Sequence, residues 1–271
     1  MLLYNGQILT EEEVILPLHN RSFQYNDGFF ETMIMVNGQV RFWADHLDRI
    51  QEAAAVLRLE LPAEFLQPDF ALKLAELAQK NNCSQLARIK LKVWRAGAGL
   101  YTPQTDAVDW LVTATAGQAP PATPVQVGIC ESVRTLPSSF SAYKGFNAPV
   151  YVLASREKAQ RDLDDVLLLD PQGNLAELTA SNLFWIREQT VFTPSLQSGC
   201  LNGIMRRNVL RWAQYQGWCV QEGLFSPVAL TQADLVFSGN VNGLRLLATL
   251  EGQTLRQNSS LLARLQNELF L

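Results

Sequence analysis

The sequence predicts an α+β protein of two domains, on three observations. Asn-Gly dipeptides at Asn5-Gly6 and Asn37-Gly38 separate strand-like runs, which is the signal for two-residue hairpins. Helical repeats follow these hairpins, and further short strands and helices fill the second half. Residues 117–124 read GQAPPATP, a composition typical of a linker. We therefore expect a small α+β domain over residues 1–116 and a larger domain over residues 125–271.

The composition fits a soluble globular protein and excludes several classes of function. The chain has 271 residues, of which 48% are hydrophobic and 18% charged, enough for a substantial core. A formal net charge of −4 provides no basic surface for nucleic acid. No apolar run reaches the roughly 18 residues of a membrane helix, and residues 1–14 lack the pattern of a secretory signal. We expect a cytoplasmic protein that binds neither nucleic acid nor membrane.

Metal and disulfide chemistry are also not expected. The four cysteines form no CxxC pair, and the only histidines are His19 and His46. Zinc sites and disulfide scaffolds need clustered or paired cysteines and histidines. The sequence therefore predicts reduced thiols and no metal site.

Strand and helix patterns alternate along both domains. In the first domain, we expect strands over residues 1–9, 29–36, 39–43, 85–97 and 108–116, and helices over 44–59 and 62–81. Pro68 is expected to break or restart the second of these helices. In the second domain, we expect helices from the Lys144 region to Arg161, over 202–217 and over 259–271, with short strands over 125–133, 165–170, 175–186, 189–194 and 234–255.

Lys144 follows a run of small and polar side chains at residues 137–142. A lysine that forms a Schiff base must lie in an enclosed site where its amine can lose its proton. Small neighbours permit the close approach of a cofactor, but they also suit an exposed loop around a solvated charge. Local sequence leaves both interpretations of Lys144 open.

Glu177 lies on a strand-like run in the second domain. A carboxylate beside a pyridine nitrogen keeps that nitrogen protonated and makes the ring an electron sink. The alternative is a surface carboxylate on an exposed strand face. Asn182, a few residues further on, would reinforce the strand or the site.

The segment SGCLNGIMRR predicts the start of a helix, with Asn202 as its N-cap. Backbone amides at such a start, here those of Gly203, Ile204 and Met205, bind phosphate well. The alternative is an ordinary capped helix. A later polar turn offers Asn240 to the same anion.

Arg49 lies on a predicted helix, where it would bind a phosphate through its guanidinium fork or pair with Asp45 or Asp48. In the loop WRAGAGLYTP, Arg95 would clamp a substrate carboxylate and Tyr101 would supply a hydroxyl. The alternative for this loop is a flexible connection between strands. Each assignment is weak when it is taken alone.

Five segments occur together in one order: NRSFQYNDGFFET, HLDRI, KGFNAPVYVLASREKA, LAELTASNLFW and GCLNGIMR. In this order, the chain resembles the class IV (fold type IV) pyridoxal-phosphate enzymes. That group includes branched-chain aminotransferases, D-amino-acid aminotransferases and 4-amino-4-deoxychorismate lyases. The resemblance implies a small α+β domain, a larger pseudo-barrel domain that carries the lysine, and pyridoxal 5′-phosphate as cofactor. It also implies a homodimer whose active sites borrow residues from the neighbouring subunit.

The resemblance implies a role for each candidate residue. Lys144 would hold the cofactor aldehyde and act as general acid and base, and Glu177 would pair with the pyridine nitrogen. The other cofactor-binding candidates are Arg49, Asn182, Gly203, Ile204, Met205 and Asn240, with Arg49, Ile204, Met205 and Asn240 on the phosphate. The substrate-binding candidates are Phe29, Arg95 and Tyr101. On this assignment, Arg49→Ala should weaken cofactor retention and leave the fold intact.

The chain departs from the family pattern in two places. Many relatives carry an Asn-Tyr pair shortly after the lysine, with the tyrosine on the cofactor ring oxygen. Here the stretch reads Asn147-Ala148-Pro149, and the nearest tyrosine after it is Tyr151. The loop WRAGAGLYTP also lacks the second arginine of the GRGY loop of one type of aminodeoxychorismate lyase.

Two reactions share the implied residues. A transaminase moves an amino group between an amino acid, branched-chain or similar, and a 2-oxo acid. A lyase eliminates a leaving group and gives 4-aminobenzoate and pyruvate. NGIMR and NLFW favour the lyase, whereas the missing arginine argues against it. Transamination is the first expectation, the lyase is the alternative, and a non-catalytic binding protein of this fold is the alternative from another class.

Overall fold

The structure is a computed structural model in which residues 1–67, 69–119 and 124–270 are described. Two sequence predictions fall on the remaining residues. These are the helix break at Pro68 and the central part of the linker, residues 120–123. Both lie outside the described residues.

The chain divides into two compact units. The first unit is Met1–Gln118 with Tyr143–Asn147, and the second is Ala119–Ala142 with Ala148–Leu271. The predicted linker at residues 117–124 places Lys144 in the larger domain, whereas the structure groups it with the first unit. The reason is backbone pairing, because the Phe30 amide donates to the Lys144 carbonyl at 2.8 Å and Gly145 forms a bridge with Phe29.

The first unit consists of one antiparallel sheet with helices packed against it. Its strands are β1 (Leu2–Tyr4), β2 (Gln7–Leu9), β3 (Gly28–Val36), β4 (Gln39–Val40), β5 (Leu86–Arg95) and β6 (Val108–Ala116). Its α-helices are α1 (Arg21–Tyr25), α2 (Trp43–Leu57) and α3 (Asp69–Lys80), with a 3-10 turn at Ala63–Leu66. The sheet order is β2-β1-β6-β5-β3-β4. The long central strands β3, β5 and β6 therefore carry most of the backbone pairing.

Both Asn-Gly hairpins are confirmed. Asn5-Gly6 and Asn37-Gly38 have positive φ at both positions, as the type of turn that suits the strand twist requires. Behind the sheet, the Phe65 ring lies 4.5 Å from Phe70 and 5.0 Å from Trp110 between centroids. Since all three side chains are at most 2% exposed, this aromatic cluster anchors the helical side of the unit to β6.

The second unit is built on a larger mixed sheet. Its strands are β7 (Val125–Ile129), β8 (Asp165–Leu169), β9 (Leu175–Leu178), β10 (Asn182–Arg187), β11 (Thr190–Pro194), β12 (Cys219–Gly223), β13 (Leu235–Asn240), β14 (Gly243–Leu250) and β15 (Gln253–Thr254). Its α-helices are α4 (Pro149–Gln160), α5 (Ile204–Tyr215) and α6 (Ser259–Phe270). Among the described residues, no helix combines the length and the apolar character needed to cross a membrane.

Six of these strands form a closed ring. The pairing runs β10-β13-β14-β7-β8-β9, and β9 returns to β10 through the pair Asn182↔Glu177. Strands β8, β9 and β13 are buried along nearly their whole length, as expected where both faces of a strand are covered. The ring matches the pseudo-barrel that the sequence predicts, and it places Glu177 at the strand pair that closes it.

Two elements are absent from the sequence predictions. Helix α1 has five residues, and its N-cap Asn20 accepts hydrogen bonds from the amides of Ser22 and Phe23. Strand β12 is short, mostly exposed and parallel to β11. Both were missed because neither is long enough to show a hydrophobic repeat.

Candidate active site

The lysine segment, Tyr143–Asn147, lies against the beginning of β3. Besides the Phe30–Lys144 hydrogen bond, the Phe146 amide donates to the Gly28 carbonyl at 3.4 Å. A Cβ at Gly28 would lie 2.3 Å from the Val93 carbonyl oxygen and 2.6 Å from the Phe146 ring. Only glycine fits at this position, and its small size permits the backbone of the lysine segment to add to the sheet.

The half-buried side chain of Lys144 extends over an aromatic surface. Its Nζ lies 5.5 Å from the centroid of the Phe30 ring, and Phe30 stacks on Phe146 with 6.5 Å between centroids. Lys90 approaches the same ring at 4.7 Å, and burial together with nearby Lys92 lowers the pKa of the Lys90 amine. Lys144 is thus held on a fixed strand edge in partly apolar surroundings, which suits an amine that must lose its proton.

The prediction that Phe29 lines the substrate pocket is wrong for its side chain. Phe29 is 1% exposed and belongs to the hydrophobic core of the first unit with Met33 and Met35. Successive residues of a strand point to opposite faces, so the neighbour Phe30 faces Lys144 instead. Local sequence did not settle which of the two phenylalanines turns inward.

A buried charge cluster joins β3 to α2. Arg49 donates from Nε to Glu31 Oε1 and from Nη2 to Glu31 Oε2, both at 2.7 Å, and His46 Nδ1 lies 2.8 Å from Glu31 Oε2. Glu31 is 1% exposed, His46 0% and Arg49 2%. Burial raises the pKa of the Glu31 carboxyl, but Arg49 and His46 outweigh it and bring the pKa down to about 2.

This cluster changes what Arg49 is expected to do. The sequence analysis offered Asp45 or Asp48 as local partners, whereas the structure brings in Glu31 from a neighbouring strand. Within the described residues, His46 Nε2 has no hydrogen-bond partner although it is buried. The assignment of Arg49 to the cofactor phosphate stays a prediction. Glu31 already fixes the orientation of the Arg49 guanidinium.

The structure gives Arg95 a different task from the predicted carboxylate clamp. Its side chain is buried and donates to Asp27 Oδ2 at 3.0 Å, to the Leu57 carbonyl at 2.6 Å, to the Arg58 carbonyl at 3.1 Å, and to Asp106. The guanidinium thereby ties the end of α2 to the loops beside β5. Because every nitrogen of the fork is engaged, the prediction that Arg95 binds substrate is corrected to a structural role.

Tyr101 lies at the surface of the first unit. Its side chain is 88% exposed, and its ring centroid is 5.5 Å from that of Tyr25 in α1. Neither its exposure nor its contact with Tyr25 tests whether Tyr101 binds the substrate, so that assignment stays a prediction.

The second unit holds Glu177 in a buried position, where its carboxylate accepts hydrogen bonds from three described donors. Tyr151 donates from its hydroxyl to Glu177 Oε1 at 2.7 Å, and Oε2 accepts from the Leu201 amide at 3.2 Å and from Asn182 Nδ2 at 3.4 Å. Glu177 is 2% exposed, so the alternative of a surface carboxylate is wrong. Asn182 lies directly across the strand pair from Glu177, as its predicted supporting role requires.

Two neighbours of Glu177 keep their protons. Burial, and then the Glu177 charge, raise the pKa of the Tyr151 phenol well above its usual range. Burial and the same carboxylate raise the pKa of the Cys200 thiol to about 12. Glu177 therefore has protonated groups around it, and Tyr151 serves it as a donor.

The start of α5 also lies in this unit. The N-cap is Gly203, not Asn202 as predicted, and within the described residues no side chain caps it. A Cβ at Gly203 would lie 2.0 Å from Asn182 Oδ1, so only glycine fits beside that amide. The first-turn amides of a helix have no acceptor within the helix, and those of Ile204 and Met205 follow directly after this glycine.

Asn240, at the end of β13, is used within its own turn. Its Nδ2 donates to the Ala180 carbonyl at 3.0 Å, and its Oδ1 accepts from the Asn242 amide at 2.9 Å. Both ends of the side-chain amide are thus engaged. Its assignment to the phosphate stays a prediction. Because the side chain is engaged, the backbone amides of the turn would have to bind the phosphate.

Comparison with known proteins identifies the group to which this chain belongs. The family model described as amino-transferase class IV matches residues 28–245. The chain belongs to the class IV aminotransferase family. Members of this family are pyridoxal-phosphate enzymes that act on small amino and keto acids, and the resemblance that the sequence predicts is confirmed.

Two relatives in sequence and one solved structure are similar to this chain. The chain is 32% identical over 233 residues to an aminodeoxychorismate lyase of Vibrio harveyi, covering 83% of each chain. It is 27% identical over 248 residues to a D-alanine aminotransferase of Listeria monocytogenes, covering 87% of this chain and 82% of the relative. The branched-chain amino acid aminotransferase of Escherichia coli matches with a TM-score of 0.88 and 20% identity over 99% of this chain and 93% of the other. The α+β fold is thereby confirmed.

The residues of this class IV chain fit the family cofactor. An uncapped helix start beside an obligatory glycine suits a phosphate. A buried carboxylate suits a protonated ring nitrogen, and a lysine on a fixed strand edge suits an aldehyde. Sequence reasoning missed two contacts of the candidate residues, that of Glu31 with Arg49 and that of Tyr151 with Glu177. Glu31 had a signal, since it is the one charge on the inward face of β3 between Phe29 and Met33.

Proposed function

We propose that this protein uses pyridoxal phosphate held by Lys144, and that its reaction is that of an aminodeoxychorismate lyase. That reaction splits 4-amino-4-deoxychorismate into 4-aminobenzoate and pyruvate, with no other reactant. The observation that carries the choice is the 32% identity to a lyase over 83% of both chains, against 27% to a D-alanine aminotransferase. The sequence analysis put transamination first, so this proposal reverses that order.

The proposal gives each residue a task. When bound, the cofactor makes the C–H bond beside the substrate amine acidic, because its ring takes up the electrons. The Lys144 amine would remove that proton as the C–O bond to the enolpyruvyl group of the substrate breaks. The protonated lysine would then give a proton to the departing group, which leaves as pyruvate. The Glu177 carboxylate would accept a hydrogen bond from the ring nitrogen and keep that nitrogen protonated. The amides of Ile204 and Met205, together with Arg49, bind the phosphate.

The burial and the hydrogen bonds of Lys144 and Glu177 support these roles. Lys144 is fixed through its backbone to β3, and its amine lies over Phe30. Glu177 is buried and receives three hydrogen bonds, so it is supplied with the donors that an ionised carboxylate needs.

Transamination is the second candidate. It uses the same lysine and carboxylate, but it delivers the proton to the cofactor and passes the amino group to a 2-oxo acid. The D-alanine aminotransferase match over 87% of this chain favours it, as does the missing arginine of the GRGY loop. Arg95 does not distinguish the two reactions, because its guanidinium is engaged by Asp27 and the Leu57 carbonyl.

One assay of the purified, cofactor-saturated protein tests both the cofactor and the reaction. One arm measures pyruvate release from aminodeoxychorismate without an amino acceptor, and the other measures 2-oxoglutarate-dependent turnover of L- and D-amino acids. We expect pyruvate release in the first arm. Turnover only in the second arm would replace the lyase by the transaminase.

The Lys144→Ala variant tests the shared part of the proposal. It should lose the cofactor absorbance near the visible edge and both activities. Lys80→Ala, a change at an exposed position of α3, is the matched control and should keep them. An unchanged absorbance band and activity in Lys144→Ala would contradict the assignment of the lysine.

We also propose that the protein works as a homodimer, as the family resemblance implies. Supporting this, the first unit exposes several large apolar side chains in two stretches, residues 15–23 and 100–101. Two contacts join these stretches: Arg21 donates to the Leu100 carbonyl, and the Tyr25 ring lies against that of Tyr101. The exposed side chains are Ile15, Leu18, Phe23, Leu100 and Tyr101. Such a patch on a monomer marks an interaction surface.

A further inference from the structure

The hydrogen bond between Tyr151 and Glu177 is set by the way α4 begins. Ala148 is the N-cap, and Pro149 occupies the first turn, where its fixed φ suits a helix start. Tyr151 follows within that first turn, and its hydroxyl reaches Glu177 in β9 at 2.7 Å. The two residues are 26 positions apart in sequence, so the contact is a product of the fold of the second unit.

The two oxygens of Glu177 are treated differently. Oε2 accepts from the Leu201 amide and from Asn182, at 3.2 and 3.4 Å. Oε1 accepts from the Tyr151 phenol at the shorter distance of 2.7 Å. A short O–H bond to a carboxylate is stronger than a longer bond from a neutral amide, so Tyr151 is the strongest of these three donors. A carboxylate that accepts such a bond holds its negative charge more readily and takes up a proton less readily.

We propose that Tyr151 is a positioning residue that acts on the cofactor through Glu177, by making that carboxylate a weaker proton acceptor than the ring nitrogen beside it. This inference rests on the proposed function. It differs from the expected role of a tyrosine in this region, which is contact with the cofactor ring oxygen. The proton shared by nitrogen and carboxylate then stays on the nitrogen, where it makes the ring an effective electron sink.

The surroundings of the pair agree with this role. Burial and the Glu177 charge raise the pKa of the Tyr151 phenol, so the phenol keeps the proton that it donates. The Cys200 thiol, with a pKa of about 12, brings no second negative charge at neutral pH. Asn182 and Leu201 are neutral donors. Removing the Tyr151 hydroxyl therefore takes a strong donor from Glu177 without changing any formal charge.

The test uses cofactor labelled with ¹⁵N at its ring nitrogen, bound to wild type and to Tyr151→Phe. The ¹⁵N chemical shift reports whether the nitrogen carries the proton, and it does so without turnover. In wild type we expect the protonated position. In Tyr151→Phe we expect a move towards the unprotonated position, with about a tenfold change in the proton partition, because one charge-assisted hydrogen bond is lost.

Tyr215→Phe is the matched control, since Tyr215 is 88% exposed on α5, and it should leave the resonance in place. Equal ¹⁵N shifts in wild type and Tyr151→Phe would overturn the inference while the proposed function stands. A wild type in which borohydride reduction attaches no cofactor to Lys144 would overturn both.

A second variant covers the case in which Tyr151→Phe does not fold. Replacing Tyr151 with 3-fluorotyrosine keeps the shape of the side chain and makes it a stronger donor. The ¹⁵N resonance should then move in the opposite direction, further towards the protonated position. No movement, or movement towards the unprotonated position, would overturn the inference.

Discussion

The buried pair of Arg49 and Glu31 gives the sharpest test of the structure. Sequence alone suggested that Arg49→Ala would weaken cofactor retention and leave the fold intact. In the structure, removing the guanidinium leaves the Glu31 carboxylate 1% exposed with only His46 beside it among its described ion-pair partners. Breaking one side of a buried pair costs about 3–5 kcal/mol, because the remaining charge is uncompensated. We therefore expect Arg49→Met to destabilise the cofactor-free protein by about that amount.

The pKa of Glu31 gives a second route to the same magnitude. The carboxyl falls from 4.5 to about 2 on folding, which corresponds to about 3 kcal/mol. Because the folded-state pKa is the lower one, this stability is fully present above the unfolded pKa near 4.5. It is lost as the pH falls through about 2. Leaving the Glu31 carboxylate without its partner would therefore cost a large part of the 5–15 kcal/mol of a typical domain.

Urea unfolding of the cofactor-free protein at neutral pH is the assay. Lys80→Met is the matched control, because Lys80 pairs with Glu76 at 3.4 Å on the exposed face of α3, and it should shift stability by less than about 0.5 kcal/mol. The double variant Glu31→Gln with Arg49→Met should recover most of the loss, since no charge remains buried and unpaired. The double variant should also lose less stability than wild type between pH 4.5 and about 2. If Arg49→Met unfolds at the same urea concentration as the control, the reasoning about this cluster is refuted.

Two further predictions concern the phosphate site and the assembly. Gly203→Ala should weaken cofactor binding at least about tenfold, because the new Cβ would meet Asn182 Oδ1 at 2.0 Å and displace the first turn of α5. Fluorescence titration measures this, with Lys80→Ala, a change at an exposed position of α3, as control; equal affinities of Gly203→Ala and wild type would contradict the phosphate assignment. Light scattering should give twice the 30.3 kDa of one chain, and a mass of 30.3 kDa at assay concentration would contradict the homodimer.

The features that sequence predicted well are those that depend on neighbouring residues. The hairpins at Asn5-Gly6 and Asn37-Gly38 followed from the positive φ that these dipeptides accept. Helix α2 followed from its apolar repeat, and it buries Ile50 and Ala54 as the repeat requires. In both cases the residues that determine the structure lie within a few positions of each other, so the local sequence is sufficient to predict it.

The features that sequence did not predict depend on distant partners. Phe29 and Phe30 are neighbouring residues of the same type, so their identity does not tell which side chain enters the core. The register of β3 against β5 decides it. Arg95 was assigned to a ligand because it lies next to a glycine-rich loop, but Leu57 and Arg58, which accept its hydrogen bonds, come from the end of α2. The partners of Glu177 likewise come from α4, β10 and the residue Leu201.

Lys144 and Glu177 differ in how the structure holds them. Lys144 is fixed mainly by its backbone, which requires a glycine at Gly28 and little else that sequence reveals. Glu177 is fixed by its side chain, and a buried carboxylate must be supplied with donors or it would take up a proton. The search for those donors leads to Tyr151, which family resemblance had set aside because it was not in the usual place. Buried polar groups therefore identify their own supporting residues once the fold is known, whereas a backbone-held lysine does not.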